Sequence, residues 1–240
     1  MKSAAIVLGA ILIVSGAENG KADDWSAISI GAYTQLGHFN SSVESATFND
    51  WSVDQVRSTD SSSTNWNGGL TVAANWRLQN AVIGVAVDYD PFGSTQGLGC
   101  LYYWSDGGQS NVFVSDVQSG RCTRDVAWSA SFVGKIGWLV SPTTWVYGLG
   151  GWTVSRVEQN FEKSFNLEQV HATLDGATFG GGIEYRLTEN WHVNVELRYT
   201  KLNTVEKKTF SEEIDAPQFT KFGGDLETVR LGLSYVLPIR

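Results

Sequence analysis

Residues 183–199 read IEYRLTENWHVNVELRY and contain two runs of alternating apolar and polar residues on either side of the turn segment 188–190. Successive side chains of a β-strand point to opposite faces, so each run places apolar residues on one face and ionisable residues, such as Glu196 and Arg198, on the other. A water-soluble barrel keeps its apolar side chains inside, whereas a membrane barrel turns them toward lipid around a polar lumen. The segment therefore predicts one hairpin of a membrane-spanning barrel.

The same period of two recurs along the chain, and no helical period persists anywhere. We predict eight strands, at residues 28–39, 70–78, 83–89, 126–140, 145–157, 178–187, 191–202 and 229–237. Tight turns at 79–81, 141–144 and 188–190 alternate with long polar connections at 40–65, 90–125, 158–177 and 203–228. This layout is typical of outer-membrane barrels. The predicted fold class is all-β: an eight-stranded antiparallel transmembrane β-barrel with short periplasmic turns and long extracellular loops.

Aromatic residues cluster at both ends of the predicted strands. Amphipathic rings prefer the headgroup level of a bilayer, so two such groups predict two aromatic girdles. The expected girdle at the short-turn end contains Trp25, Trp76, Trp138, Trp145, Tyr185, Trp191 and Tyr235, and the girdle at the long-loop end contains Trp66, Tyr89, Trp128 and Tyr199. The strand at 145–157 is ambiguous in its facing, because Gly148, Gly150 and Gly151 interrupt its alternation.

The beginning of the chain is typical of an exported protein. A basic start precedes the uncharged run 4–14, which has the length of a secretory signal peptide and is too short to span a bilayer. Small residues three and one positions before residue 23 indicate a cleavage site there, and the segment 15–17 is an alternative site. We predict a signal peptide at 1–22 and an outer-membrane β-barrel domain at 23–240.

The composition excludes several classes of function. The chain contains 26 Gly, ten Trp and eight Tyr but only four Pro and one Met, which favours aromatic-rich strands over amphipathic helices. The formal net charge of -8, without a basic cluster, argues against nucleic acid as a partner. His38, His171 and His192 are scattered along the sequence, so we expect no metal site, and no cofactor motif is present.

The polar face of the predicted strands carries ionisable residues that we expect to line the lumen. They lie within a band roughly 14 Å tall at a rise of about 3.4 Å per residue. Three of them are acidic and three are basic, which favours pairing that fills a narrow lumen over a like-charged ring that selects ions. This predicted lumen charge network consists of Asp88, Lys135, Glu184, Glu196, Arg198 and Arg230.

Short segments in a characteristic order carry a family resemblance: VIGVAVD at 82–88, VYGLGG at 146–151, FGGGIEY at 179–185 and VRLGLSY at 229–235. With these segments, the chain resembles the alphaproteobacterial outer-membrane immunogenic protein family, small porin-like proteins with an OmpA-like eight-stranded barrel. The resemblance implies a location in the outer membrane of a Gram-negative bacterium, with outer-membrane lipid and lipopolysaccharide as partners. It also implies insertion by the barrel-assembly machinery, although the usual terminal Phe of the last strand is replaced by Leu237.

The resemblance and the long loops together favour a structural and surface-interaction role, with possible host or envelope proteins contacted through the loops. A narrow diffusion porin is the alternative, although side chains are able to fill the interior of eight strands. A lipid-modifying or ligand-binding barrel is a third class. The His-x-Ser pair of the lipid A deacylases that this scaffold resembles is matched only by residues 192–194, where Asn194 replaces the nucleophile. We therefore expect no enzymatic activity.

Cys100 and Cys122 lie in one polar segment of an exported chain, where oxidation is the default, so we predict a disulfide between them. The bond would close a loop of about 21 residues, for which chain entropy gives roughly 3 kcal/mol of stabilisation. Mass spectrometry of protein taken from the cell envelope should find neither thiol free. Reduction should leave the barrel folded, and two free thiols would contradict the prediction.

Overall fold

The structure is a computed structural model that describes residues 25–49, 52–91, 100–106, 109–115, 122–161, 170–211 and 216–237. The predicted signal peptide lies outside these residues. The described strands are β1 (Ala27–Asn49), β2 (Ser52–Leu78), β3 (Ala81–Asp90), β4 (Cys100–Asp106), β5 (Gln109–Ser115), β6 (Cys122–Ser141), β7 (Thr144–Phe161), β8 (Val170–Arg186), β9 (Trp191–Ser211) and β10 (Ala216–Val236). Among the described residues, no helix is long and apolar enough to cross a membrane.

Eight of the strands form one closed antiparallel barrel, in the order β1-β10-β9-β8-β7-β6-β3-β2. Pairing of the first strand with the last closes the ring, and its register runs from Ser29 opposite Val236 to Thr47 opposite Gln218. The remaining two strands, β4 and β5, form a separate hairpin within the connection from β3 to β6. The predicted eight-stranded antiparallel barrel is confirmed.

Much of what we predicted as long loops is paired strand. β1 and β2 continue in antiparallel register as far as Asn49 opposite Ser52, with a shift between Thr47 and Phe48. A membrane-spanning strand needs only about 9–11 residues, whereas β1 has 23 and β2 has 27. At about 3.4 Å per residue, the segment 40–49 adds roughly 34 Å beyond the apolar band. The polar sequence hid this pairing, because the backbone groups that form the ladder are the same for polar and apolar residues.

The outer face of the barrel carries the large apolar side chains. On β3, buried and exposed residues alternate, with Val82, Ala86 and Asp88 inside and Ile83 and Tyr89 outside. Other exposed residues on the outer face include Ile30, Leu70, Val72, Phe132, Ile136, Phe179, Leu197 and Leu231. An exposed apolar belt of this extent is the surface that lipid covers.

Two tryptophans depart from the predicted girdles. Trp25 and Trp145 have exposed fractions of 1% and 0% and lie inside the barrel, with their ring centroids 6.1 Å apart. Trp138 and Trp191 at the short-turn end and Trp66 at the other end are exposed as expected. The assignment of Trp25 and Trp145 to the girdle was therefore wrong. The distance of a residue from a turn does not tell whether its side chain points to lipid or to the lumen. Alternation could not supply this information either, because Trp25 precedes its strand and glycines interrupt the strand of Trp145.

The facing of β7 is settled by the same packing. Trp145, Tyr147 and Leu149 point inward, while Gly148 and Gly150 lie on the outer face. The inward residues belong to an apolar cluster that consists of Trp25, Val82, Ala86, Val133, Trp145, Tyr147 and Leu149. A second apolar cluster, nearer the ends of the long hairpins, consists of Phe39, Val157, Ala172, Leu174 and Leu202. Apolar side chains therefore occupy the lumen at both ends of its charged region.

If the apolar face contacts lipid, the destabilisation caused by an arginine on that face should depend strongly on its depth in the bilayer. Leu231 lies on the outer face in the middle of the apolar part of β10, and Leu187 lies on the outer surface beside the turn after β8. Leu231→Arg should reduce the free energy of unfolding by roughly 2–4 kcal/mol and Leu187→Arg by at most about 1 kcal/mol, because a charge costs most at the bilayer midplane. Unfolding in lipid vesicles with guanidinium chloride measures both. Equal losses would contradict the assignment.

Candidate functional site: a charged network inside the barrel

All six residues of the predicted lumen charge network point into the barrel and are buried. They come from β3, β6, β8, β9 and β10, so their proximity results from barrel closure and not from sequence neighbourhood. The structure brings five of them into one connected set and places Glu184 in a separate contact near the short turns. The connected residues are Asp88, Lys135, Glu196, Arg198 and Arg230.

Glu196 is the best-connected carboxylate of the set. Its Oε1 atom lies 2.6 Å from Lys135 Nζ on β6 and accepts a hydrogen bond of 2.6 Å from the Tyr147 hydroxyl on β7. Its Oε2 atom accepts hydrogen bonds from the guanidinium group of Arg198, two residues further along β9. Gly182 makes this approach possible, since an added Cβ would lie 2.8 Å from Tyr147 Oη and 2.9 Å from Glu196 Cγ.

Asp88 joins the opposite walls of the barrel. Its Oδ2 atom accepts hydrogen bonds from Arg198 Nη1 at 2.6 Å and from Arg230 Nη1 at 3.1 Å. Three strands separate β9 from β3 in either direction around the ring, so the Arg198–Asp88 pair spans the barrel diametrically. Charge-assisted hydrogen bonds of this length are among the stronger polar contacts in proteins. The pair therefore crosses the path that a solute would follow along the lumen.

Asp90 extends the network toward the long hairpins. It accepts hydrogen bonds from the Tyr33 hydroxyl at 2.7 Å and from Ser129 Oγ at 2.8 Å, and its Oδ2 atom lies 3.6 Å from Arg230 Nη2. The Arg230 guanidinium carbon also lies 4.3 Å from the centroid of the Tyr33 ring, within cation–π range. Arg230 is thus held between Asp88, Asp90 and an aromatic face.

Glu184 is paired with a histidine. Its Oε1 atom lies 2.8 Å from His192 Nδ1, and the His192 ring packs 5.0 Å from the ring of Trp25. Ser234 is opposite His192 in the β9–β10 register, which places a serine, a histidine and a glutamate on three successive strands. His192 Nε2, the atom that would activate a serine, has no hydrogen-bond partner among the described atoms. The three residues therefore do not form a hydrogen-bonded triad.

In the part of the chain that the structure describes, no three His, Cys, Asp or Glu side chains lie close enough together to bind a metal ion. The predicted disulfide is not tested, because the side chains of Cys100 and Cys122 lie outside the described residues.

Several members of the network were absent from the sequence-based prediction. Asp90 follows Asp88 by two residues and shares its facing, so the alternation rule would have included it had the strand been extended by one residue. Tyr147 was missed because the facing of β7 was ambiguous. The role of Tyr33 required the cross-strand register, which no sequence signal supplied.

The apolar exterior, the closed ladder and the charged interior define the class of an outer-membrane β-barrel. The chain belongs to the outer membrane protein beta-barrel domain family, whose model matches residues 6–235. It is located in the outer membrane of a Gram-negative bacterium, as its relatives are.

Two relatives support the resemblance to alphaproteobacterial outer-membrane proteins. The chain is 27% identical over 173 residues to the 31 kDa outer-membrane immunogenic protein of Brucella melitensis, with 70% of this chain and 65% of the relative covered. It is 26% identical over 168 residues to the 22 kDa outer membrane protein of Rhizobium leguminosarum, with 70% and 64% covered. The match thus spans slightly less than two thirds of each relative.

A solved structure shares the fold. The outer membrane protein OprG from Pseudomonas aeruginosa superposes with a TM-score of 0.54 at 10% sequence identity, covering 90% of this chain and 99% of that chain. At this level of identity, the similarity shows that the two proteins share the barrel fold and says nothing about the residues in the lumen.

The ion pairs predict that replacing a lysine inside the lumen destabilises the barrel much more than replacing an exposed lysine. Lys135→Ala leaves the buried Glu196 carboxylate without its lysine partner and should cost roughly 3–5 kcal/mol of unfolding free energy. Lys201→Ala, at an exposed position on β9, should change it by no more than about 0.5 kcal/mol. Urea unfolding in detergent micelles measures both variants.

A double variant separates the charge from the packing. Lys135→Met combined with Glu196→Gln removes both charges at nearly constant volume, so the loss should be smaller than the sum of the two single losses. Additive losses would show that the two side chains are not energetically coupled.

Proposed function

We propose that this protein is a closed-lumen barrel with a structural and surface-contact role in the outer membrane, and that it is neither a diffusion pore nor an enzyme. The single observation that carries the proposal is the Arg198–Asp88 ion pair, which joins opposite walls of the barrel. A pore of this strand number would need a lumen free of such crossings.

The charges around that pair support a plug. Selective channels use rings of like-signed side chains, whereas here each carboxylate of the connected set lies against a cation. Desolvation offsets much of the attraction between buried opposite charges, so the net stabilisation is modest. Separating them inside the barrel is nevertheless costly. The network therefore favours one closed arrangement of the lumen over an open one.

The surface-contact part of the proposal rests on the paired hairpins. β1–β2 and β9–β10 both continue well past the apolar belt, to Asn49 opposite Ser52 and to Ser211 opposite Ala216. Paired strands hold a defined shape outside the membrane at lower entropic cost on binding than unpaired loops. We propose host or envelope proteins as partners of these hairpins and outer-membrane lipid and lipopolysaccharide as partners of the belt.

The proposal that the protein has no catalytic role rests on the Glu184–His192 contact. The pair is buried near the short turns beside Trp25, and the sequence places Asn194 at the nucleophile position of the lipid A deacylase pattern. A hydrolase acting on lipid would need its nucleophile within reach of a histidine nitrogen and open to substrate.

Conductance tests the closed lumen directly. The wild-type protein in planar bilayers should show little or no steady current, since Arg198 and Asp88 bridge the lumen. Arg198→Ser combined with Asp88→Ser should increase the frequency of openings, because the crossing side chains are shortened. Slower migration on a gel after boiling than before it verifies that each sample is a folded barrel. A steady, ion-selective channel in the wild type would refute the proposal and favour a porin.

The structural role has a cellular test. A strain that lacks the protein should be more sensitive to detergent than its parent, and a variant whose β1–β2 hairpin is shortened at Ser41 opposite Ser61 should restore resistance. The same variant should fail to restore attachment to surfaces coated with host proteins. A deletion strain with unchanged detergent sensitivity would contradict the structural part, and full attachment with the short hairpin would contradict the surface-contact part.

A further inference from the structure

A groove of about 600 Å³ lies on the outer face of the barrel, across β8, β9, β10, β1 and β2. Arg198 of the lumen network also lines the groove, but its side chain is buried inside the barrel. The role of the groove does not depend on whether the lumen conducts. Its volume falls within the range of roughly 300–1,000 Å³ found for small-molecule sites. A groove of this size on the lipid-facing surface is accessible to an acyl chain without crossing the barrel wall.

Two neighbouring rows of cross-strand partners build the groove. The lower row is apolar throughout, with Leu36 opposite Val229, Val229 opposite Leu197, and Leu197 opposite Gly181. Gly181 contributes no side chain, so the groove floor there is backbone. The lower row therefore matches a hydrocarbon chain.

The upper row lies nearer the long hairpins and is mostly polar. It runs from Thr64 through His38, Glu227 and Tyr199 to Phe179. His38 Nδ1 and Thr64 Oγ1 lie 2.8 Å apart, while the Glu227 side chain is exposed to solvent. Because long hairpins mark the cell-surface side of such barrels, this row lies at the headgroup level of the outer leaflet.

The charges beside the upper row decide what headgroup fits. Lys201 and Asp225 are opposite each other in register, and neither of them lines the groove. Glu227 is the one carboxylate among the described residues that line the groove, and Arg198, which also lines it, is paired with Asp88 and Glu196 inside the barrel. The sign of Glu227 therefore favours a cationic group over phosphate alone. Burial of the lipid's acyl chain in the groove contributes little specificity, because the surrounding lipid is equally apolar. The Glu227 carboxylate therefore sets the preference for one headgroup over another.

We propose that this groove binds a single lipid of the outer leaflet, with one acyl chain along Leu36, Val229 and Leu197 and a protonated headgroup amine at Glu227. The ligand class is an amine-bearing lipid. The apolar row holds the acyl chain, and the ion pair between the amine and the Glu227 carboxylate sets which headgroup is preferred.

Native mass spectrometry of the full chain released from lipid nanodiscs tests the proposal. The probe is an equal mixture of phosphatidylethanolamine and phosphatidylglycerol with identical acyl chains. We expect one retained phosphatidylethanolamine, preferred over phosphatidylglycerol by roughly two- to fivefold, the size expected of an exposed ion pair. No retained lipid, or a preference for phosphatidylglycerol, would overturn the proposal.

Matched variants locate the site. Val229→Trp fills the groove and should abolish retention, whereas Leu231→Trp adds the same bulk two residues along β10, outside the groove, and should not. The two residues are equally suited to the comparison, with exposed fractions of 49% and 52%. Leu36→Trp fills the groove from β1 and should repeat the Val229→Trp result. Equal retention by Val229→Trp and wild type, or equal loss in Leu231→Trp, would place the lipid elsewhere.

The headgroup preference has its own pair of variants. Glu227→Gln should retain a lipid but lose the preference for the amine, while Glu189→Gln, at an exposed turn on the opposite side of the membrane, should keep it. An unchanged preference in Glu227→Gln would overturn the assignment of the amine to this carboxylate.

Discussion

Hydrogen bonding of the backbone in the absence of water is the constraint on which the whole structure depends. In the hydrocarbon layer every N–H and C=O group needs a partner within the protein, and a sheet meets that requirement only by closing on itself. The ladder between β1 and β10 provides the closure. Closure with eight strands leaves a lumen that side chains are able to span. The contact between Arg198 on β9 and Asp88 on the opposite wall is a consequence of that width.

The fold could largely be predicted from the sequence, because a strand between lipid and a polar lumen must alternate apolar and polar residues. Alternation at residues such as Leu231 and Arg230 assigns each side chain to lipid or lumen without knowledge of its neighbours. That rule failed where alternation was weak. The glycines of β7 concealed that Trp145 points inward, and the polar segment 40–49 concealed a ladder of backbone hydrogen bonds.

The candidate site could be predicted only in part. Alternation tells which side chains point into the lumen, but it does not tell which of them contact one another. Alternation placed Asp88, Lys135, Glu196, Arg198 and Arg230 inside the barrel, where the structure joins them. It could not pair them, since pairing depends on the stagger between distant strands. Glu184 illustrates the difference: it faces the lumen as expected, yet its contact is His192 near the short turns. Tyr33 joins the network through the same cross-strand stagger, whereas Asp90 was missed because the predicted strand ended one residue early and Tyr147 because the glycines of β7 obscured which way it points.

The paired extension of β1 and β2 also bears on how the exposed surface changes over evolutionary time. Its ladder is made of main-chain groups, which are the same for nearly every residue type. Replacements there, proline excepted, leave the ladder intact. The hairpin can therefore keep its outline while its side-chain chemistry drifts. An antibody that recognises the backbone shape would tolerate such drift, whereas one that reads individual side chains would lose its epitope through a single replacement.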